Sequence, residues 1–584
     1  MSLMGARRSW AAAWPVHGRA LGARLSPPVL AGAAIALVLA YLTLPPLVVL
    51  LQTSVVISNL RGEVVAVTLG HYERVFTNRA VLGLLANTLG FALGSCLLAL
   101  AVGGVLAWIV ERTNTPLRGL GYAAAFLSFA LPYILYTIAW LLLLGKGGPV
   151  NALLMGLTGA AEPPLNVYSL WGMILVEGFL WSPLVFLMLA AVFRSMDPAL
   201  EEAAQMSGAG LWRTAYHISL RLALPGIAAV VLLVFIRAIE SFDIPALVGL
   251  PNGVQVLTTL VYQDTKRLPP DYGEASAFSV LLIAVVLACL AYYRRLTRAS
   301  ERFQTVTGKG YRPRVIDLGP WRYLTAALVL VYFVLVMLAP LALVVWASLQ
   351  PFYRRPALDA LAQLTTRNYA AVLSYPNFAE AMRNTVVLGV GAATVVMALM
   401  ALGAWLSLRG PARLRGLLDP LASLPLVFPG IVLGLAIMRL YLVVPIPIYA
   451  TLWILLVAYV TRYMPYGMRY CHAGLVQVHR ELEEAAYTSG ASWWTTFRRV
   501  LLPLLSPAFW AGWIFVFLLS AKELSMSVLL AGPQSRVVSV MMFDLWNNGQ
   551  VVEVAAFGVV WSTVLALTAG GFFLLARRYG LRMY

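Results

Sequence analysis

Runs of about 20 apolar residues, the length that spans the hydrocarbon core of a bilayer as helix, recur along this whole 584-residue chain. Hydrophobic residues make up 61% of the chain and charged residues 11%. Soluble domains are about half apolar and about a quarter charged. The sequence therefore predicts an all-α polytopic membrane protein and excludes a water-soluble domain of ordinary composition.

The apolar runs place twelve spans, and the first is predicted to be retained because it is too long for a cleaved signal. The spans lie near 29–51, 82–110, 120–145, 169–193, 223–247, 275–293, 322–349, 383–408, 417–442, 451–475, 507–530 and 553–576. With the N-terminus assigned to the cytoplasm, 26 of the 42 Lys and Arg residues fall in inside segments and 11 in outside ones. Basic residues concentrate on the cytoplasmic side of membrane proteins, so both termini are predicted to be cytoplasmic. The net charge of +18 is assigned to this bias and not to nucleic-acid binding.

The two halves of the chain repeat each other. At an offset of 297 residues, Asn87-Thr88 matches Asn384-Thr385 and Ala107-Trp108 matches Ala404-Trp405. Further along the offset is 282, where Leu-Glu-Glu-Ala-Ala occurs at 200–204 and again at 482–486. We therefore predict two parallel six-span repeats, at 1–293 and 322–584, joined by a basic cytoplasmic linker at 294–321. Such repeats are related by an axis along the membrane normal, and a pathway is expected between them.

The change of offset gives the first half 15 additional residues between Pro132 and Trp171. The outward segment 146–168 is rich in Gly, Pro and Ala. Loops accept insertions that spans do not. The extra residues are therefore predicted to form an outward loop.

Both repeats carry the pattern Glu-Ala-Ala-x-x-x-Gly in the cytoplasmic loop between their fourth and fifth spans. Acidic residues near a helix N-terminus complement the helix dipole, the alanines keep one helical face thin, and the glycine lets the chain turn sharply. Each copy predicts a short helix-turn-helix across the cytoplasmic face, which we call an elbow. The candidate coupling residues are Glu202, Ala203, Ala204 and Gly208 in the first elbow and Glu484, Ala485, Ala486 and Gly490 in the second.

With these two elbows the sequence resembles the permease subunits of binding-protein-dependent ABC importers, whose Glu-Ala-Ala loop docks into a groove of the ATPase subunit. It looks closest to the fused, double-length permeases of the iron(III) group, with thiamine and polyamine permeases as relatives. The second elbow continues to Leu502-Pro503 as in that family. In the first elbow Leu220-Arg221 stands at this place, which predicts a different exit angle. The strings that carry the closer resemblance are Leu131-Pro132, 145–151, 305–310, 461–466 and 522–525.

The resemblance implies a type I importer fold in the bacterial inner membrane, two separate ATPase subunits, an extracytoplasmic substrate-binding protein and surrounding membrane lipid. It also implies that this chain is no enzyme and that ATP and Mg bind the partner ATPases. Gly145-Lys146 and Gly308-Lys309 are each followed by Gly, whereas a Walker A loop needs Ser or Thr there. The three cysteines and five histidines have no metal-ligand spacing, so neither a metal nor a cofactor is predicted in this chain.

Ionisable side chains inside a span are costly and ordinarily face protein or water. Those predicted to line or gate the path are Glu177, Glu240, Asp243, Arg462 and Glu523. Aligned positions differ in charge, because Glu240 aligns with Lys522 and Leu180 aligns with Arg462. This asymmetry predicts ion pairs between the halves. The alternative is that Glu240 and Lys522 merely neutralise one another.

The cargo stays open at this point, because iron(III), thiamine, polyamines and phosphonates all fit the relatives. Iron(III) uptake is the prediction that follows from the closest resemblance. Twelve spans in two parallel halves also describe one group of secondary transporters, although the elbows count against it. An intramembrane enzyme would need a catalytic cluster such as paired aspartates, which the sequence does not supply.

Overall fold

The computed structural model describes residues 27–58, 64–128, 131–196, 203–204, 206–300, 315–444 and 446–578. Glu202 and residues 301–314 of the predicted linker lie outside the described residues. The helices of the first half are α1 (Pro27–Ser54), α2 (Gly70–Thr77), α3 (Arg79–Arg112), α4 (Arg118–Ser128), α5 (Tyr133–Leu144), α6 (Pro149–Thr158), α7 (Leu170–Ser195), α8 (Leu211–Thr214), α9 (Leu220–Glu240), α10 (Leu257–Lys266) and α11 (Tyr272–Ser300). Those of the second half are α12 (Arg322–Phe333), α13 (Ala339–Ser348), α14 (Arg367–Leu373), α15 (Phe378–Arg409), α16 (Ala412–Ser423), α17 (Gly430–Val443), α18 (Leu452–Val476), α19 (Glu481–Thr488), α20 (Trp493–Thr496), α21 (Leu502–Ser520), α22 (Ser527–Leu530), α23 (Val538–Asn547) and α24 (Val551–Arg578).

Short elements complete the described chain. Strands β1 (Val56–Ser58) and β2 (Val64–Val67) pair antiparallel, with Val56 opposite Val67. Five-residue π-helical turns occupy Ala215–Ser219, Pro245–Gly249, Val334–Leu338 and Phe497–Leu501. Turns of 3₁₀ helix occupy Leu250–Asn252, Gly319–Trp321, Leu358–Gln363 and Leu424–Val427.

Ten helical segments of the described chain are long and apolar enough to cross a membrane, and a bent pair makes an eleventh. Helix α18, at the tenth predicted span, carries Arg462 and Arg469 and is not among them. Apolar side chains face outward as well as inward, as on α3, where Leu82, Leu89 and Leu97 are all exposed. Helices that satisfy their own backbone groups while exposing such side chains are suited to lipid. The prediction of an all-α polytopic membrane protein is confirmed.

Prolines break the third span of each half. In the second half, the helical segments Leu414–Val427 and Gly430–Val443 meet at 106° across Phe428 and Pro429. Proline lacks the N–H that a continuing helix needs and pushes the preceding residue into extended backbone, as found at Phe428 (φ −95°, ψ 116°). In the first half Pro132, the counterpart of Pro429, likewise precedes α5. The runs predicted as spans at 120–145 and 417–442 are therefore each interrupted at a proline, a feature that an apolar run does not record.

The additional residues of the first half form a helix. Within the predicted loop 146–168, α6 begins at Pro149, a position that favours proline, and Gly159 follows its end with φ at 69°. The buried Asn151 side chain donates to the Leu144 carbonyl and accepts from the Leu165 amide, both at 2.9 Å. The prediction of an outward loop is therefore wrong, since the Pro and Gly that suggested it cap a helix. Together α5 and α6 form the candidate span Tyr133–Thr158.

The helices at the fifth span of each half end early, inside the apolar body. Helix α9 stops at Glu240 and α21 at Ser520, whereas the spans were predicted to continue to 247 and 530. Just beyond α9, the Ser241 carbonyl accepts a hydrogen bond from Thr258 Oγ1 at 2.7 Å. In the second half the Glu523 carbonyl accepts one from Ser539. Non-helical backbone at membrane depth is tolerated only where protein or a cavity surrounds it, so these two breaks mark the interior of the protein.

The first span of each half packs on the other half. Helix α1 lies against α15, α16 and α17, and the hydroxyls of Tyr41 and Tyr441 are 3.1 Å apart. In return, α12 and α13 lie against α4 and α5, and Thr325 donates to Thr115 at 2.8 Å. This exchange interlocks the two halves, so that movement of one half must be accommodated by the other.

Candidate functional site

A buried ion pair joins the two halves. Arg462 Nη2 on α18 lies 2.9 Å from Glu240 Oε2 at the end of α9, and the two side chains are 11% and 6% exposed. Arg237, one turn earlier on α9, lies 3.4 Å from the same oxygen. Arg462 also donates to the carbonyl of Phe428, which the bend before Pro429 leaves without a helical partner. The structure thus contains a pair of the kind that the charge asymmetry predicts.

The alternative pairing of Glu240 with Lys522 is not the one found. Glu240 pairs with the two arginines among the described residues. The Lys522 ammonium lies 4.4 Å from the centre of the Tyr133 ring, which places it close to the start of α5. Lys522 therefore belongs to the same interface through a cation–π contact.

Each half holds a second carboxylate between its fourth and fifth spans. In the first half, Glu177 is fully buried and accepts from Trp181 Nε1 at 2.7 Å and from Ser241 Oγ at 2.8 Å. In the second half, Glu523 accepts from the Tyr463 hydroxyl at 2.8 Å. At the offset of 282, Trp181 corresponds to Tyr463 and Ser241 to Glu523. The buried acid at these positions therefore comes from the fourth span in the first half and from the segment just after the fifth-span helix in the second half.

Four of the five predicted path residues are linked through these contacts. Glu177 accepts from Ser241, which follows Glu240 in the chain, and Glu240 pairs with Arg462. Tyr463, which follows Arg462, donates to Glu523. The fifth, Asp243, is half-buried, and within the described chain its Oδ1 is enclosed without a hydrogen-bond partner. The described residues contain no group of three or more His, Cys, Asp or Glu side chains that could hold a metal ion.

An aromatic cluster of Phe242, Tyr262 and Phe543 also bridges the halves. The ring centres of Phe242 and Tyr262 are 5.3 Å apart, and Phe543 on α23 lies 6.3 Å from each of them. Tyr262 is on α10, the first-half counterpart of α23. Because both short helices follow the fifth span, the predicted topology puts this cluster toward the outward side, beyond the Glu240–Arg462 pair.

The two elbows have the same backbone geometry. Gly208 and Gly490 have φ of 80° and 82°, in the left-handed region that glycine adopts without strain. One residue later, the amide of Ala209 bonds to the Ala204 carbonyl at 3.0 Å, and the amide of Ala491 bonds to the Ala486 carbonyl at 2.9 Å. Both are the bond that ends a helix at a left-handed glycine. Ala203 and Ala485 are exposed on the preceding turns, and Glu202 lies outside the described residues.

The chain continues from both elbows through equivalent elements. Each continues through a π-helical turn, Ala215–Ser219 or Phe497–Leu501, into a fifth-span helix that starts at the equivalent residue, Leu220 or Leu502. The replacement of proline by Arg221 therefore leaves the order and start of these elements unchanged. The different exit angle predicted for the first elbow is not reflected in its secondary structure.

One family model, described as the binding-protein-dependent transport system inner membrane component, matches residues 99–306 and again residues 373–579. The two matches cover more than half of the chain, and each contains one elbow. The chain belongs to this family. The duplicated match confirms the fused, double-length permease that the repeated elbows predicted.

Relatives of this permease carry two kinds of name. The ferric transport system permease protein FbpB of Actinobacillus pleuropneumoniae is 26% identical over 454 residues, which are 76% of this chain and 64% of that protein. The putative 2-aminoethylphosphonate transport system permease protein PhnU of Salmonella typhimurium is 31% identical over 262 residues, 44% of this chain and 88% of that protein. Among solved structures, a bacterial ABC transporter involved in alginate import is 20% identical over 41% of this chain and 86% of that chain, with a TM-score of 0.35.

Sequence reasoning missed one buried residue of the second elbow of this permease. Glu483 forms an ion pair with Arg409 at the end of α15 and accepts from Trp405 Nε1 at 3.0 Å. A signal for it existed, because the repeated string contains two adjacent glutamates in both halves. Trp405 and Arg409 also match Trp108 and Arg112 at the offset of 297.

A carboxylate and arginine network lies on the predicted outward side of the permease. Arg267 is 2.7 Å from Asp271 and 3.6 Å from Asp264, and Arg74 is 3.6 Å from Asp271. Burial raises the pKa of Asp264 from its ordinary 3.8 to about 7, and the nearby Glu274 carboxylate adds to the effect. Folding therefore favours the protonated form of Asp264 relative to the unfolded chain.

Replacing Asp264 with Asn is expected to stabilise the permease increasingly as the pH rises. Because the pKa of Asp264 is higher folded than unfolded, the native state binds more protons between the two values, and stability falls as the pH rises toward 7. In detergent, the melting temperature of the variant should therefore be higher than that of the parent at pH 8 and close to it near pH 4. Asp359→Asn, at a 69% exposed side chain, is the matched control. An equal gap at both pH values would contradict this account.

Proposed function

We propose that this permease is the membrane component of an ATP-driven importer in the bacterial inner membrane, with both termini in the cytoplasm. Its halves, 1–293 and 322–584, are joined by the linker 294–321 and form the translocation path between them. The duplicated elbow is the observation that carries the proposal. Two copies with the same backbone geometry provide two equivalent attachment points for a pair of identical or similar motor subunits.

Each elbow presents an exposed surface that suits a protein partner. On α19, Leu482 and Tyr487 are 46% and 43% exposed, and on the first elbow Met206 is 90% exposed. Grouped exposed apolar side chains are typical of protein interfaces. We assign one separate ATPase subunit to each elbow. ATP and Mg bind those subunits, and this chain performs no hydrolysis.

The interface between the halves is the proposed path. An extracytoplasmic binding protein delivers the cargo from the outward side, and closure of the ATPases moves the elbows. Opening the path requires separation of Arg462 from Glu240 and of Phe543 from its two aromatic partners. Glu177, Asp243 and Glu523 then line the space between the fourth and fifth spans. A change between two such discrete arrangements is the usual form of a transport switch.

Iron(III) is the cargo that we propose. The support is the similarity to two ferric permeases, FbpB of A. pleuropneumoniae and a putative FbpB of Haemophilus influenzae that is 24% identical over 80% of this chain and 72% of its own length. The interface also offers oxygen ligands from Glu177, Asp243 and Glu523. Carboxylate oxygens suit hard cations, so a passing ferric ion would find a favourable surface there.

A phosphonate is the second candidate cargo, favoured by the similarity to PhnU. A phosphonate is an anion, so at the interface it would depend on Arg237, Arg462 and Lys522 and not on the carboxylates. Thiamine and polyamines, whose permeases the sequence also resembles, are further alternatives within one mechanism.

Uptake by proteoliposomes distinguishes these candidates. The permease is reconstituted with its ATPase and binding protein, and radioactive ferric iron, 2-aminoethylphosphonate, thiamine and putrescine are offered in turn. We expect ferric uptake that requires ATP and continues after ionophores collapse the ion gradients. Uptake of 2-aminoethylphosphonate alone would show that the cargo is a phosphonate and not iron. Uptake that needs a gradient and proceeds without the ATPase would instead identify a secondary transporter.

A further inference from the structure

The second elbow is fixed to the membrane body at one buried residue. Along α19, Leu482, Glu484 and Ala485 are exposed, whereas Glu483 is only 7% exposed. Its carboxylate forms the ion pair with Arg409 and accepts from Trp405, both on the last turns of α15. One face of α19 is thus free for a partner while Glu483 points into the protein.

Arg409 and Trp405 connect more than these two helices. Arg409 Nη2 also donates to the Leu475 carbonyl near the end of α18 at 3.0 Å. The Trp405 ring stacks on Trp493 and on Phe497, each at 5.1 Å, in the part of the elbow that follows Gly490. Both arms of the elbow and the end of α18 therefore meet at the end of α15. We call the contact of Glu483 with Arg409 and Trp405 the elbow anchor.

The other end of α15 holds the aromatic cluster in place. Thr385 Oγ1 accepts from the Val538 amide, the first residue of α23, at 2.9 Å. The Asn384 side chain donates to the Arg536 carbonyl at 3.1 Å, just before α23. Phe543 of the cluster lies on α23. Because α15 is one continuous helix, it connects the elbow anchor to Phe543 over about 36 Å of helical rise.

We propose that the elbow anchor makes α15 a rigid connecting rod between the second ATPase site and the aromatic cluster that closes the path. Movement of α19 is transmitted through Glu483 to Arg409, along α15, and through Thr385 to α23. Glu483 and Arg409 are positioning residues, since they would act through the position of α15. The inference rests on the proposed function, because it requires an ATPase that moves the elbow.

The first half has the corresponding parts. Arg112, fully buried, donates to the Phe193 carbonyl, the counterpart of Leu475, and Thr88 accepts from the Leu257 amide at 3.0 Å, as Thr385 does from Val538. Glu201, the counterpart of Glu483, lies outside the described residues. We therefore place the test on the second elbow, where the whole connection is described.

The test compares Glu483→Gln with Glu481→Gln in the reconstituted complex. Glu483→Gln keeps a group that can accept from Trp405 but removes the ion pair. We expect it to bind the ATPase within about twofold of the parent and to hydrolyse ATP, while cargo moved per ATP falls about tenfold, a usual size for a coupling change. Glu481→Gln, at an 81% exposed side chain on the first turn of the same helix, should leave cargo per ATP unchanged.

A second variant guards against a trivial loss of fold. Arg409→Lys keeps the charge with fewer donors, and cargo per ATP should lie between the values of the parent and of Glu483→Gln. Unchanged cargo per ATP in both Glu483→Gln and Arg409→Lys, with an ATPase still bound, would overturn the inference and leave the proposed function standing. If the parent permease bound no ATPase, that result would instead contradict the proposed function.

Discussion

A permease with valine in place of both Gly208 and Gly490 is expected to lose nearly all import while it still inserts in the membrane. Both glycines have left-handed φ, and an added Cβ would meet no heavy atom within 4 Å. The effect is therefore conformational and not steric. A β-branched residue held in this region costs about 1–3 kcal/mol, so each elbow should keep its shape about tenfold less often. ATP-dependent uptake and ATPase binding measure the loss.

Gly210→Val is the matched control for this double substitution. Gly210 belongs to the first elbow and also has open space around it, but it does not have left-handed φ. Its variant should import at close to the parental rate. Equal import by the double variant and the control, at equal amounts in the membrane, would show that the shape of the elbows does not matter for transport.

Replacing Arg462 with Met is expected to lower import about tenfold or more while ATP hydrolysis continues. The substitution leaves the buried Glu240 carboxylate with only Arg237 and leaves the Phe428 carbonyl without its donor. Removing one partner of a buried ion pair costs about 3–5 kcal/mol. The two halves should then fail to hold one of their alternating arrangements, and ATP would be spent without transport. Uptake and hydrolysis rates measured on the same proteoliposomes give the amount of cargo imported per ATP hydrolysed.

The matched control is Leu180→Met, at the equivalent position of the first half, which should leave import unchanged. A double variant with Glu240→Gln tests the pair itself, because it removes the uncompensated charge as well. If Arg462 acts through its ion pair with Glu240, the double variant should lose less import than the sum of the losses in the two single variants. Unchanged import by Arg462→Met at normal expression would discard its role in the path.

The repeat predicted much of the site because it compares the sequence with itself. Two elbows in equivalent places and opposite charges at aligned positions were sufficient to predict two equivalent turns at glycine and an ion pair between the halves. The partner of Arg462 was harder to predict. Glu240 and Arg462 are 222 residues apart, and no local pattern in the sequence indicates that Arg462, and not Lys522, is the partner of Glu240.

The errors came from features that hydropathy does not contain. An apolar run has the same length whether it is straight or bent, so the break at Pro429 and the early ends of α9 and α21 were invisible. Pro149 and Gly159 are equally typical of a loop and of helix caps. Glu483 was passed over because its burial depends on Trp405 and Arg409, which lie far from it in the sequence.

Counting the ATPase subunits on the purified complex is the most direct measurement. Native mass spectrometry of the permease released from mild detergent should give two ATPase subunits for each chain. The variant with valine at both elbow glycines should carry none or nearly none, and Gly210→Val should carry two. A parent complex that never holds an ATPase, or two subunits retained on the variant with both elbows altered, would contradict the account.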